Sequence, residues 1–362
     1  MVNYKEIKRK LLKKIEMLSR SELSKFKVLT MSDFILDHIL FIDDFDYFLR
    51  EVKRIYKQGG GDLPAIRQTI QRGGCSANTA SGLSALGIDT YFIGRTNLFG
   101  KKLLEFFLGE KNVNIKNLKT DGNLSLMTIF EIGKEKINVM VGDPDSLSPL
   151  GYKDITSSDR KLLHSCNLVG ISGWAMNRSG TDLAKGVFNF AKKVNTLTYL
   201  DTADPSFRLE EIKDLYEYVI SNKNLDILSI NENELNYYSS FISTKDSNLN
   251  ILEKGVLLKK NISAKIDIHT SLYSASLDGD EVYIMPAFKV NIKRTTGAGD
   301  MFNSGNILGY LLKLEPLERL QFANAMAGCF ISSNIPLPPN IKDIYNFINN
   351  TPFKPLKGEI VG

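Results

Sequence analysis

Residues 293–314 read KRTTGAGDMFNSGNILGYLLKL, and the reading of this stretch organises the rest of the chain. Gly297 and Gly299 allow a tight turn with exposed backbone amides, and Phe302, Leu308, Leu311 and Leu312 then recur at helical spacing. A helix that starts behind glycines is an anion site, because its first N–H groups lack partners and its dipole favours negative charge. Asp300 falls in the first turn. It is either a first-turn acid complementing the dipole or a carboxylate placed beside an anion hole. In the second position it takes a proton from an attacking hydroxyl while the amides stabilise a transferred phosphoryl group. The local sequence leaves both readings open.

A second glycine-led segment, GGCSANTASGLSALG, occupies residues 73–87. Gly73 and Gly74 let the backbone approach a ligand or adopt positive φ. Asn78 offers both a donor and an acceptor, Ala77, Ala80, Gly82 and Ala85 let the helix pack close to another backbone, and Gly87 is a suitable stop. Around these segments, short apolar runs alternate with amphipathic stretches, the pattern of a mostly parallel sheet with helices on both faces. Candidate strands are 28–31, 90–93, 168–171, 197–200, 227–230 and 266–269. Their tails are polar (Ser32-Asp33, Asp201-Thr202, Asn231-Glu232, Thr270-Ser271), where open α/β sheets bind ligands. Residues 36–41 and 126–140, the latter broken at Gly133-Lys134, read as two-faced strands. They predict a small antiparallel lid built from two excursions, about 36–72 and 121–145.

The chain has 362 residues, 43% hydrophobic and 24% charged, within the globular range. With 46 basic and 41 acidic side chains the net charge of +5 predicts no nucleic-acid partner. No run reaches the ~18 apolar residues of a membrane span. Residues 5–14, KEIKRKLLKK, read as a solvated amphipathic helix with Leu11, Leu12, Ile15 and Leu18 on one face, within an N-terminal extension 1–26. It does not resemble a secretory signal, and a cytoplasmic protein is expected. Cys75, Cys166 and Cys329 and the three histidines are scattered, so a metal held by Cys and His is not expected, whereas oxygen ligands with phosphate remain available.

The run Thr295-Thr296-Gly297-Ala298-Gly299-Asp300 resembles the C-terminal signature of the ribokinase-like (PfkB) family of sugar and nucleoside kinases, and residues 73–87 resemble its N-terminal signature. The resemblance spans roughly residues 26–350. It implies a three-layer α/β/α sandwich with a β lid, a kinase domain at 27–350 and a tail at 351–362. The implied activity is ATP- and Mg2+-dependent transfer of the γ-phosphoryl group to a hydroxyl of a small sugar, in a homodimer. A nucleoside or ribose-1-phosphate kinase is the alternative, and a sugar sensor without turnover is the alternative of another class. It assigns catalysis to Asp300 with the amides of Gly297, Ala298 and Gly299, and substrate hydroxyls to Asp33, Asp37, Gly74 and Asn78. The nucleotide falls to Asn231, Thr270, Ser271 and Asn324, and the metal to Glu234. Asp201, Asp204 and Arg208 resemble an Asp-rich strand end whose Arg can hold a phosphate.

Two departures stand out. Arg294 occupies a position that in the family is often an aspartate helping to hold a monovalent cation, so fixed positive charge replaces that ligand. The strand end commonly read as Thr-x-Gly lacks the glycine here, since Leu272 follows Ser271. The nucleotide loop is therefore expected to differ.

Overall fold

A computed structural model describes residues 2–109, 113–143, 147–242 and 249–356. The end of the second lid excursion, residues 144–145, and residues 357–362 of the tail lie outside them.

The strands are β1 (Lys27–Ser32), β2 (Ile35–Ile42), β3 (Arg67–Gly73), β4 (Asp89–Gly94), β5 (Ser125–Ile132), β6 (Ile137–Gly142), β7 (Leu168–Ser172), β8 (Leu197–Asp201), β9 (Ile227–Asn231), β10 (Lys265–His269), β11 (Tyr273–Asp278) and β12 (Glu281–Pro286). Among the described residues they form an eight-stranded sheet in the order β12-β11-β10-β9-β8-β7-β1-β4 and a four-stranded sheet in the order β3-β2-β5-β6. In the large sheet β4, β1, β7, β8, β9 and β10 run parallel, and β11 and β12 close one edge antiparallel.

Side chains alternate across each strand. Leu29, Val169, Leu200 and Leu228 pack with the helices Ser157–His164, Gly180–Lys193 and Glu232–Ile242, while Val28, Leu168, Tyr199 and Ile227 pack with Cys75–Ala85, Ala298–Leu311 and Pro316–Ser332. The three-layer architecture follows, because strands buried on both faces need helices on both.

The lid is not wholly antiparallel as expected: β2 pairs antiparallel with β3 but parallel with β5, because the two excursions leave the main sheet in the same direction, and β5 turns at Gly133 (φ +68°) into β6. The 36–72 excursion differs from expectation in also containing a helix, Phe45–Lys57, capped by the Asp44 carboxylate accepting from the Tyr47 N–H at 2.8 Å. This helix buries no side chain, so it carries little of the core signal that identified the other helices.

The N-terminal basic helix, Tyr4–Glu16, is also more than a solvated extension. Leu11 and Ile15 are buried in the same cluster as Phe322, Phe330 and Ile344, and Lys8 Nζ donates to the Asn349 carbonyl at 2.8 Å. Each buried aliphatic side chain contributes ~1.5–3 kcal/mol. The apolar face of the helix is therefore used within its own chain, against the helices Pro316–Ser332 and Ile341–Asn350.

Candidate active site

The parallel strands end together, and beyond them lies a cavity of about 330 Å3 roofed by the lid. Six carboxyl groups line it: Asp33 after β1, Asp37 on β2, Asp201 at the end of β8, Asp204, Glu234 after β9, and Asp300. The sheet thus gathers residues that are as far apart as 33 and 300 in sequence.

Asp300 sits in the first turn of Ala298–Leu311, whose N-cap, Gly297, has φ +84°. The Ala298 N–H turns back to the Thr295 carbonyl at 3.2 Å, so Ala298 does not add the third amide expected of the anion hole. The first-turn amides of Gly299 and Asp300 have no intrahelical acceptor. Gly299 also keeps the cavity open, since a Cβ there would lie 3.3 Å from His269 Cε1. The Asp300 carboxylate accepts from Asn78 Nδ2 at 2.8 Å, and Asn78 Oδ1 accepts from Arg72 Nε at 2.9 Å. Burial, reinforced by Asp201, holds the Asp300 carboxyl well above the usual carboxylate range, while Asn78 and Arg72 oppose the shift. A carboxylate raised in this way is a stronger base, once ionised, than an exposed aspartate.

The substrate-side residues divide by role. Asp37 is buried, and burial followed by the charge of Asp33 pushes it up to about 7, against the pull of Arg72. Gly73 gives it room, because a Cβ there would fall 2.0 Å from Asp37 Oδ1. Asp33 lines the cavity as well, but its two oxygens accept from the Cys75 and Ser76 N–H groups, both at 2.8 Å. It caps the helix Cys75–Ala85, whose N-cap Gly74 has no side chain to do so, and burial holds it up to about 6. Gly74 (φ +87°) admits no Cβ, with the Asp33 carbonyl oxygen 2.7 Å away.

The nucleotide-side assignments divide too. Asn231 and Glu234 face the cavity and hold each other: Asn231 N and Nδ2 donate to the two Glu234 oxygens at 3.0 and 2.7 Å. Burial, with Asp201 beside it, raises the Glu234 carboxyl well above its ordinary value. Thr270 instead locks the β10–β11 turn, its hydroxyl donating to the Tyr273 carbonyl and accepting from the Leu272 and Tyr273 N–H groups. The exposed Ser271 sits in the same turn, where its carbonyl accepts from Lys354 Nζ. Asn324 ties Pro316–Ser332 to β12 through the Met285 and Pro286 carbonyls. Neither Thr270, Ser271 nor Asn324 lines the acid-rich cavity.

Arg208 does not offer the bidentate fork expected for a phosphate. Its guanidinium is buried, stacks on Trp174 at 4.5 Å, donates to the Trp174 and Asn177 carbonyls and pairs with Glu211. All of its donating edges are committed to the chain.

Sequence reasoning missed Arg72 and Asn303. Arg72 follows an unremarkable strand pattern; the turn at Gly73-Gly74 carries the chain back so that it meets Asn78 six residues on, and the β3–β2 pairing sets it near Asp37. Asn303 lies one turn beyond Asp300 on the helix, and its side chain joins Asp201, Tyr199 and Ser229. That network fixes the helix Ala298–Leu311 on the sheet, and the i, i+3 spacing was the available signal.

The metal expectation can be tested on the donor set. The cavity presents hard oxygen donors, the kind that suit magnesium, but among the described residues no three acidic, His or Cys side chains form a cluster able to hold a metal alone. The residues fit an ion shared with phosphate oxygens, with Asn231 and Glu234 on the protein side.

Residues 37–339 match the pfkB family carbohydrate kinase. Among curated relatives, the 5-dehydro-2-deoxygluconokinase of Clostridium botulinum (strain Alaska E43 / Type E3) is 26% identical over 284 residues, 76% of this chain and 83% of that protein. Among solved structures, the 2-dehydro-3-deoxygluconokinase of Thermotoga maritima aligns with a TM-score of 0.71 at 18% identity, covering 90% of this chain and 98% of that one. The Arabidopsis thaliana ribokinase complexed with ribose and ATP gives 0.69 at 18% identity, covering 89% and 98%. These structural likenesses establish a shared ribokinase-like fold. The two glycine-led signatures, the lid over a carboxylate at a helix start and the match over most of the chain lead to one conclusion: this protein belongs to the pfkB family of carbohydrate kinases.

Proposed function

We propose that the protein moves the γ-phosphoryl group of ATP to a hydroxyl of a small sugar. The observation that carries this reading is the Asp300 carboxylate, held by Asn78 in the first turn of a glycine-led helix and facing a cavity under a lid. The substrate hydroxyl gives its proton to Asp300, its oxygen attacks the γ-phosphorus, and the bond from that phosphorus to the β–γ bridging oxygen breaks to release ADP. The amides of Gly299 and Asp300 stabilise charge on the transferred group. Asp37 and Asn78 orient the sugar. Magnesium, arriving with the nucleotide, supplies charge neutralisation of the phosphates, and Asn231 and Glu234 would hold it. The lid excludes water from the transfer. His269 lines the same cavity with its ring packed on Phe302, and burial holds its pKa down, which keeps it neutral there.

A sugar acceptor is favoured over a nucleoside by the curated relatives, whose names specify a gluconate derivative. Release of ADP measured across sugars, sugar acids, sugar phosphates and nucleosides tests the reading. Saturable sugar binding without ADP release from any of them would replace the kinase with a sensor.

Two further parts of the proposal concern context. Exposed Ile70, Leu126, Ile137, Val139 and Val141 give the lid an apolar outer surface, which supports pairing of lids in a homodimer. A mass of one protomer by light scattering at micromolar concentration would remove it. Use of ATP as donor supports a cytoplasmic location, and no described helix is long and apolar enough to cross a membrane.

A further inference from the structure

A second cavity, of about 540 Å3, adjoins the acid-rich one and shares Thr296 as a wall. Its character is opposite. Arg67, Lys134, Lys136, Lys293 and Arg294 line it, against Glu131 and Asp43. None of the five cations forms an ion pair within 4 Å among the described residues. Arg294 Nη1 is buried there without a hydrogen-bond partner, as is Glu131 Oε2. A buried guanidinium N–H left unpaired is costly unless something accepts from it.

The two cavities are consecutive stations along one surface. Asp37 and Ile39 are neighbouring inward positions on β2, as are Ile129 and Glu131 on β5, and the first cavity takes Asp37 and Ile129 while the second takes Glu131. Two residues along a strand advance ~6.6 Å, within the length of an extended six-carbon chain. The basic cavity lies between the lid and residues 292–296, whereas the residues read as nucleotide-side, Asn231 and Glu234, sit at the end of β9 and in the helix that follows it. The lid is also tied to that loop, Thr295 Oγ1 donating to the Lys136 carbonyl at 3.1 Å and Asn138 Nδ2 to Thr296 Oγ1 at 2.9 Å. Occupancy of the basic cavity is therefore coupled to lid position and to the start of the catalytic helix.

We propose that this cavity holds the anionic end of the acceptor, a carboxylate or phosphate, so that the protein selects acidic sugars while their far hydroxyl lies at Asp300. The proposal rests on the kinase reading for its second half alone. Arg294 serves as the anchor, Arg67 and Lys136 close over the anion from the lid, and Glu131 Oε2 accepts from a neighbouring hydroxyl. Carboxylate and phosphate share this chemistry, and the substrates chosen distinguish them.

The test compares wild-type protein with Arg67→Gln/Lys136→Gln and, because both of its side chains are exposed, with Lys134→Gln/Lys293→Gln. Steady-state ADP release is measured with 2-dehydro-3-deoxygluconate, fructose 6-phosphate and the neutral sugars fructose and ribose. Calorimetric titrations with D-gluconate and with inorganic phosphate are run on the nucleotide-free protein. The expected result is a kcat/KM at least tenfold higher for one anionic class than for neutral sugars, lost at least tenfold in the variants through KM. The ATP KM stays within twofold. Equal losses on neutral sugars, a rise in ATP KM instead, or unchanged constants in both variants would overturn the subsite. If no sugar is turned over, the kinase reading fails by itself. The titrations then decide the cavity: a tenfold weaker anion Kd in the variants supports it and an unchanged Kd removes it.

Discussion

The acid-rich cavity at the ends of the strands and the basic cavity beneath the lid share a wall at Thr296 yet are built in opposite ways. On the acidic side short side chains are fixed by hydrogen bonds: Asp33 by two amides, Glu234 by Asn231, and Asp300 by Asn78. Their burial raises several of their pKa values, so the site holds charge that is poised to accept protons or cations. On the basic side the charges sit on long side chains from the lid and one loop, and most remain exposed. The lesson is that rigid sheet ends organise chemistry, while the adjustable lid is suited to recognising what is brought to them. A net charge of +5 over the whole chain conceals both fields.

The comparison can be broken most forcefully at Asp300. Asp300→Asn should lower kcat by ~10²–10⁴, the size of a general-base contribution, without lowering the thermal midpoint, because a buried raised carboxyl is replaced by a neutral isostere. Near-wild-type ADP release would end its role as base. Gly74→Ala follows, since a Cβ would meet the Asp33 carbonyl oxygen at 2.7 Å and Phe34 Cα at 2.9 Å on a backbone with φ +87°. Urea unfolding should show a loss of ~1–3 kcal/mol, and unchanged stability would show that the acidic side is less rigid than its hydrogen bonds suggest.

A smaller effect is expected at Arg72, whose guanidinium acts on the acidic group. Its charge lowers the Asp300 and Asp37 carboxyls, so Arg72→Gln should move the acid limb of the kcat profile to higher pH and reduce kcat by ~10-fold through the loosened Asn78. A limb that stays in place would assign Arg72 to packing alone.

The pH dependence of stability is a gentler test. Asp37 is raised to about 7 and Asp33 to about 6 in the folded protein, from an ordinary value of 3.8. The native state therefore binds more protons than the unfolded chain between pH 4 and 7. The stabilisation of these protonated forms is present below that window and fades as pH rises through the folded values. Asp37→Asn should flatten this fall, by ~1 kcal/mol or more between pH 5 and 8 in ligand-free protein. An identical slope in the mutant would place Asp37 in a wetter environment. Smallest of all, Thr270→Val should cost about 1 kcal/mol through its turn hydrogen bonds and leave the ATP KM within threefold. A large rise in that KM would return Thr270 to the nucleotide site.

Much of this was legible in the residues, for reasons that differ by element. The strands of the main sheet, buried on both faces, show as short apolar runs with polar tails. The helix behind Gly297 shows because glycines before a helix leave the same mark wherever an anion is held at a helix start. Asn231 with Glu234 came forward only through the family resemblance, since by itself the run marks a helix start. Arg208 could not: its type and position suggested a phosphate, and only the packing of Trp174 and the backbone carbonyls around it showed the guanidinium already filled. Thr270 and Asn324 tie segments together, and a hydroxyl or amide serves a tie or a ligand equally well, so the residue type alone cannot separate the two. The lid helix Phe45–Lys57 had a cap in Asp44 but no buried side chain to declare it.

The sequence by itself determined the family signatures, the layer architecture and the carboxylate at the head of its helix, because periodicity and glycine placement are local properties. Tertiary structure alone decided which charges meet. Arg72 comes near Asp37 through the pairing of β3 with β2, Arg294 and Glu131 come to line one cavity through the lid folding onto the loop before Gly297, and the basic helix Tyr4–Glu16 turns its apolar face into its own chain. Charge interactions depend on distance and burial, and neither exists until distant segments have been brought together.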